Sequence, residues 1–235
     1  MHKKKILITG ALGQDGLILS NILLKKNYNV FGIIKNKKYK RQNSKIRYKK
    51  LDLKKKEDLF NYIKKIKPET IVHFGSNNPS YIEKIKSNKF YNENVYFTKS
   101  LIQAFVNNNL KVHFIFANSS QIFSKKKNKV NEKSKFIIST KYNKFRINIL
   151  KFLNKFKDDK NFSYTNLILF NHDSKLRNEK FLFPRLIKAI KNKDINFVNK
   201  IYNQNIIADF SHAEDICYAI YLLIKKNICI ENLIL

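Results

Sequence analysis

The chain has 235 residues, enough to bury a full core as one large α/β domain or as a domain and part of a second. Its formal net charge of +31 raises the question of nucleic acid, but the cations are lysine almost throughout, with arginine at Arg41, Arg47, Arg146, Arg177 and Arg185. Lysine rises together with asparagine and isoleucine, as AT-rich codon usage produces, so nucleic-acid binding is set aside despite the charge. No run of about 18 apolar residues offers a membrane span, Cys217 and Cys229 are too few for a disulfide framework, and no Cys/His cluster has metal-ligand spacing.

Taken in chain order, the pattern predicts a strand at 5–9, which leaves no room before it for a signal peptide and points to a cytoplasmic protein. A helix at 14–26 follows, then strands at 29–34 and 46–51. The helix at 54–66 carries Leu59, Phe60, Tyr62, Ile63 and Ile66 at helical spacing. A short apolar strand is expected at 70–74, a helix at 92–108, a strand at 112–117 and a lysine-rich surface loop at 124–135. A long amphipathic helix at 140–156 and a strand at 163–170 complete this part. Strands alternating with helices predict a doubly wound, Rossmann-like parallel sheet over residues 1–170. Beyond Asn171 the rhythm breaks into a helix near 183–191, a short apolar stretch, a helix at 211–226 and a strand at 230–235. Residues 171–235 are therefore expected to begin a smaller, shortened substrate domain.

Between the first strand and the first helix stand Gly10, Gly13 and Gly16. Glycines let a backbone approach closely, and free N–H groups at a helix N-terminus attract anionic oxygens, so this turn suits a dinucleotide pyrophosphate. The second strand ends at Lys35 with no carboxylate to hold a ribose 2′-hydroxyl. Ammonium groups there suit a 2′-phosphate, which favours NADP over NAD.

With these elements placed, the chain resembles the extended short-chain dehydrogenase/reductases that modify nucleotide sugars, and among them the GDP-mannose 4,6-dehydratase family. Gly10 through Gly13-Gln14-Asp15-Gly16 resembles its nucleotide loop. Asp52-Leu53 resembles a pair contacting adenine, and Gly75-Ser76 a small-residue loop passing the cofactor. Phe170-Asn171-His172, with Arg177 shortly after, resembles a loop that holds cofactor and sugar nucleotide, and 209–215 a segment downstream.

The resemblance implies oxidation at the sugar C4, loss of water across C5–C6 and return of the hydride to C6. Such chemistry uses a tyrosine and, four residues later, a lysine, with a Ser or Thr on the substrate oxygen and a Glu as base. By this alignment Lys141 takes the lysine role on the nicotinamide ribose, Ser119 the hydroxyl role and Gln121 the place of the base. The resemblance also implies Ser120 and Asn171 as further substrate contacts. The tyrosine slot then falls on Ile137, or on Phe136, and Tyr142 is turned about 100° from Lys141 around the helix. A glutamine amide takes no proton near neutral pH. Dehydration of GDP-mannose or a similar sugar, 4-keto reduction or epimerisation, and cofactor binding without turnover all stay open. The resemblance also implies a homodimer through helices 92–108 and 140–156, and the chain stops where the family continues its substrate domain.

Overall fold

The first apolar run folds as β1 (Lys5–Thr9), and its alternating side chains already define two faces: Ile6 and Ile8 enter one core, Leu7 the other. The computed structural model describes residues 3–34, 43–51, 55–76, 88–124, 129–204 and 207–235. After β1 come α1 (Gln14–Lys25), β2 (Asn29–Ile34), β3 (Arg47–Lys50), α2 (Lys56–Ile66) and β4 (Thr70–His73). They are followed by α3 (Asn88–Val106), β5 (Val112–Ser119), α4 (Lys141–Leu153) and β6 (Phe162–Leu169). The last part holds β7 (Asn171–Asp173), α5 (Leu182–Lys191), α6 (Ile195–Tyr202), β8 (Phe210–His212), α7 (Ala213–Lys226) and β9 (Asn232–Ile234).

Seven strands form one parallel sheet in the order β3-β2-β1-β4-β5-β6-β9, the doubly wound architecture expected from the alternation. One face packs Leu7, Ile71, Phe114 and Phe116 against α2, α3 and α4. The opposite face packs Ile8, Val72, Ile115 and Leu167 against α1 and α7. The chain moves outward from β1 to β3, then returns to place β4 on the other side of β1. The carboxyl ends of β1 and β4 therefore flank the topological switch point, where such sheets leave a crevice.

Several boundaries differ from the sequence expectation. α3 begins at Asn88, and the predicted 140–156 helix closes as a 3₁₀ turn at Asn154–Phe156. The apolar stretch after α5 is the helix α6, capped by Asp194, whose carboxylate accepts the Phe197 N–H at 3.0 Å. Two three-residue strands, β7 and β8, pair in parallel outside the main sheet. The chain then returns to that sheet with α7 and β9. Lys35, Asp52 and Leu53, expected to contact the cofactor, lie outside the described residues.

Strand β5 runs two residues past the predicted end because its polar tail is satisfied. Asn118 donates to Asn166 on β6 at 2.7 Å, and Asn166 donates in turn to Asn232 on β9 at 2.7 Å. Asn118 also accepts the Ser119 N–H at 2.8 Å. This buried amide ladder ties the last strand to the sheet and fixes where Ser119 leaves it. Substituting Asn166→Leu strands the amide of Asn118 and the carbonyl of Asn232. A loss of about 2–4 kcal/mol is expected in chemical denaturation, and an unchanged midpoint would show the ladder to be incidental.

Candidate functional site

At the end of β1 the chain turns through Gly10, whose φ of +69° is left-handed and suits glycine. Gly13 N–H donates to the Gly10 carbonyl at 2.9 Å, and Gly13 serves as the N-cap of α1 with no side-chain cap. Space decides the rest. A Cβ at Gly16 would stand 2.4 Å from the Gly10 oxygen, and one at Gly10 would stand 3.0 Å from the Gly75 nitrogen. The loops after β1 and β4 therefore meet backbone to backbone across the switch point. The uncapped first turn of α1 opens at this crevice, and its N–H groups suit an anion.

A buried polar relay holds the two loops. Gly75 N–H donates to Thr9 Oγ1 at 3.0 Å, Thr9 Oγ1 lies 2.6 Å from His73 Nδ1, and His73 Nε2 lies 2.9 Å from Thr98 Oγ1 on α3. Burial, aided by the charge of Arg146, pushes the His73 pKa down to about 3, so this imidazole is neutral. Read from sequence as structural, His73 occupies that role here: a pin between β1, β4 and α3.

Gln14 and Asp15 turn toward the segment after β6 instead. His172 Nε2 lies 3.2 Å from Asp15 Oδ1 as a charge pair outside hydrogen-bond alignment, while its Nδ1 faces the Phe170 carbonyl at 2.8 Å. Gln14 donates to Asp15 and to the His172 carbonyl, and Ser174 donates to Gln14. Arg177 pairs with Asp173 at 2.8 Å and stacks over Phe181. Four residues expected around the cofactor, Gln14, Asp15, His172 and Arg177, thus assemble as a latch between the nucleotide loop and β7. Asn171 sits beside it, donating to the Asp209 carbonyl.

Across the sheet edge, Ser119 Oγ accepts the Gln121 N–H at 3.3 Å and starts a 3₁₀ turn at Ser120–Ile122. Ser119 and Ser120 are half-buried and Gln121 is exposed. The Gln121 carbonyl accepts from Asn143, which also bonds Ser139, so α4 is docked onto this turn. Thr140 caps α4, leaving Lys141 exposed at its first position. The inward face of α4 carries Tyr142 and, four residues on, Arg146, both buried. Arg146 Nη2 donates to the Tyr142 hydroxyl at 2.8 Å and to Ser76 Oγ at 2.9 Å, and Nη1 donates to the Ala117 carbonyl. Tyr142 and Arg146 thus form a hydroxyl–guanidinium pair on the inward face of α4, while Lys141 lies at its exposed start. Phe136 and Ile137 belong to the extended lead-in, where Ile137 N–H bonds the Ile122 carbonyl.

Residues 6–231 match the family model described as the NAD dependent epimerase/dehydratase family, and the chain belongs to that family. The GDP-mannose 4,6-dehydratase of Yersinia enterocolitica is 24% identical over 95% of this chain and 65% of its own length. The human GDP-mannose 4,6 dehydratase is 25% identical over 94% of this chain and 64% of its length. The chain thus spans about 65% of such relatives. A UDP-N-acetylglucosamine 4-epimerase from Methanobrevibacter ruminantium superposes with a TM-score of 0.81 at 20% identity, covering 100% of this chain and 77% of that one. A dTDP-glucose 4,6-dehydratase from Streptomyces venezuelae with NAD bound gives 0.81 at 15% identity, over 98% and 74%. These structural likenesses show the shared fold.

The Asp15–His172 latch carries a pH signature. Burial disfavours both charges, yet the close contact with the oppositely charged partner outweighs it, raising His172 above 6.5 and lowering Asp15 below 3.8. The His172 contribution to stability is complete below its ordinary pKa of 6.5 and disappears as pH climbs through the raised value. The Asp15 contribution is complete above 3.8 and disappears as pH falls through its lowered value. Melting temperature is expected to decline on the alkaline side of neutrality, and His172→Gln to flatten that decline. Parallel pH profiles for the two proteins would remove the latch from the account.

Proposed function

We propose that the crevice over Gly10, Gly13, Gly16, Gly75 and Ser76 holds a nicotinamide dinucleotide, with NADP preferred to NAD, and that a nucleotide sugar reacts beside it. The observation that carries this reading is the backbone-to-backbone closure of the two loops at the switch point. It leaves the N-terminal amides of α1 beside a turn packed so closely that a Cβ at Gly16 would strike the Gly10 and Ala11 backbone. Family membership and relatives named as GDP-mannose 4,6-dehydratases support a sugar nucleotide such as GDP-mannose. Lys35, at the end of the predicted second strand, supports NADP.

A bound nicotinamide would supply the hydride acceptor. The chain supplies the proton chemistry. Tyr142 exchanges a proton with the sugar hydroxyl that becomes a ketone, and Ser119, with Ser120 and Asn171 nearby, fixes the sugar oxygen. The lobe of β7, β8, α5 and α6 within residues 171–235 forms part of the sugar side. Gln121 stands where the resemblance puts the base for water elimination, and an amide takes no proton. Oxidoreduction at C4, as reductase or epimerase, therefore fits better than full dehydration. Pairing of α3 and α4 with a second copy belongs to the same reading, and light scattering tests it.

Titration with NADP⁺ and NAD⁺, followed by thermal shift, tests the cradle directly. NADP⁺ is expected to stabilise the protein more, and Gly16→Ala to abolish the shift with either. Added GDP-mannose should raise the melting temperature further and give a 4-keto or epimerised sugar, with Tyr142→Phe slowing turnover by roughly 10²–10⁴-fold. No shift with either dinucleotide would sink the reading.

A further inference from the structure

Strand β3 closes one edge of the main sheet, with Arg47, Lys49 and Lys50 exposed and Tyr48 half-buried. A groove of about 700 Å³ runs between β3 and α2, with Phe31 and Tyr62 in its wall. Five cations line it, Lys5, Arg47, Lys49, Lys50 and Lys65, against one carboxylate, that of Asp58. A second groove of about 650 Å³ opens on the opposite face, between α1 and the start of β3. Its lining holds Lys3, Lys25 and Lys45, four asparagines and no carboxylate. Arg47 lines both grooves, and its guanidinium lies 5.5 Å from the centroid of the Phe31 ring.

Abundant lysine carries no site by itself, and on composition alone nucleic acid is set aside. Placement adds what composition does not hold. Two recesses meet at a guanidinium seated on a ring, with ammonium groups, tyrosines and asparagine amides along them. Ammonium groups neutralise phosphates, guanidinium and aromatic faces stack bases, and amides bond base edges. None of the exposed large apolar side chains of the described residues lies in either groove, so a lipid surface finds no anchor there. A track that turns around the edge of a sheet suits a flexible single strand better than a stiff duplex. Lysines on an edge strand also discourage pairing with another sheet, but that role calls for neither grooves nor a stacked arginine. We propose that the edge around β3, with Arg47 at its centre, binds single-stranded nucleic acid through its phosphates and stacked bases. This edge is separated from β1 and its glycine turn by β2, and the proposal does not depend on the function given above.

Fluorescence anisotropy of the full chain with a labelled single-stranded RNA of about 12 nucleotides tests this. Arg47→Glu with Lys49→Glu is expected to weaken binding at least roughly tenfold and to lower the slope of log affinity against log salt by about 1–2. Lys157→Glu with Lys160→Glu alters net charge equally at exposed positions before β6 and should change affinity less than about threefold at physiological salt. Arg47→Lys should keep the salt slope yet reduce the quenching of a fluorescent adenine analogue in the strand, because an ammonium does not stack. Should the Glu pair at β3 fail to fold by circular dichroism, Arg47→Gln with Lys49→Gln takes its place with the same expectation. Equal losses in the two charge-reversed pairs would make the attraction diffuse and overturn the proposal. Displacement of the RNA by NADP⁺ would do so by moving the strand to the crevice. Binding of phosphatidylserine vesicles, polyglutamate or a duplex of the same length as tightly as the single strand would also overturn it. Absence of NADP⁺ binding bears on the function reading alone.

Discussion

The contact on which the site depends is the approach of the Gly10 and Gly75 backbones across the switch point of the sheet. Two loops can meet at this distance only where side chains are absent, and three glycines with a left-handed turn provide that space. The approach is then locked from below. Thr9 accepts the Gly75 amide while bonding to His73, and His73 reaches Thr98, so β1, β4 and α3 are tied together. A neutral imidazole serves here because a charged one would carry a large desolvation cost at full burial. The anion-seeking end of α1 is held open above this pin, and Arg146 secures the same edge from the other side through Ser76 and Ala117.

Much of this was legible in the sequence because apolar periodicity directly reports which face is buried. The order of the first six main-sheet strands and their helices follows from that pattern, and the glycine turn from its place between a strand and a helix. What escaped had no such signal. Strands β7 and β8 are three residues each, and their pairing joins Asn171 to Phe210 across a stretch holding two helices. The last two residues of β5 read as loop because Asn118 is polar. Its inclusion depends on Asn166 and Asn232, which are far away in the chain. Gln14, Asp15 and His172 were expected around the cofactor as a group. They do come together, but as a joint between two segments, a distinction that depends on side-chain direction.

The assignment of α4 shows how a one-residue choice changes the chemistry inferred. Reading Lys141 as the functional cation leaves no hydroxyl four residues before it. A helix turns about 100° per residue, so Lys141 and Tyr142 cannot share a face. Burial decides between them: Thr140 caps the helix, Lys141 stays in solvent, and Tyr142 enters the core beside Phe145 and Ile149. The position four residues after Tyr142 is Arg146, and the two side chains bond to each other at 2.8 Å. Gln121, by contrast, is exposed at the 3₁₀ turn after β5, with its backbone carbonyl taken by Asn143.

Composition explains why the contact between Tyr142 and Arg146 is hard to see in the sequence and also what marks it. With 48 Lys and Arg residues of which five are arginine, a lysine at any given position carries little information. An arginine carries more, because a chain this rich in lysine has a ready residue wherever a plain charge suffices. All four arginines among the described residues sit over aromatic rings: Arg47 on Phe31, Arg146 on Phe116, Arg177 on Phe181 and Arg185 on Phe197. A flat, weakly hydrated guanidinium can stack and donate along fixed directions at once, which an ammonium cannot do. Arginine in this chain thus marks places where geometry is needed together with charge. Arg146 is the one of these four that is buried, and it stands four residues beyond a tyrosine on a helix beside the nucleotide crevice. Scarcity of arginine, set beside that spacing, singles out a buried contact that no single lysine in the sequence would have marked.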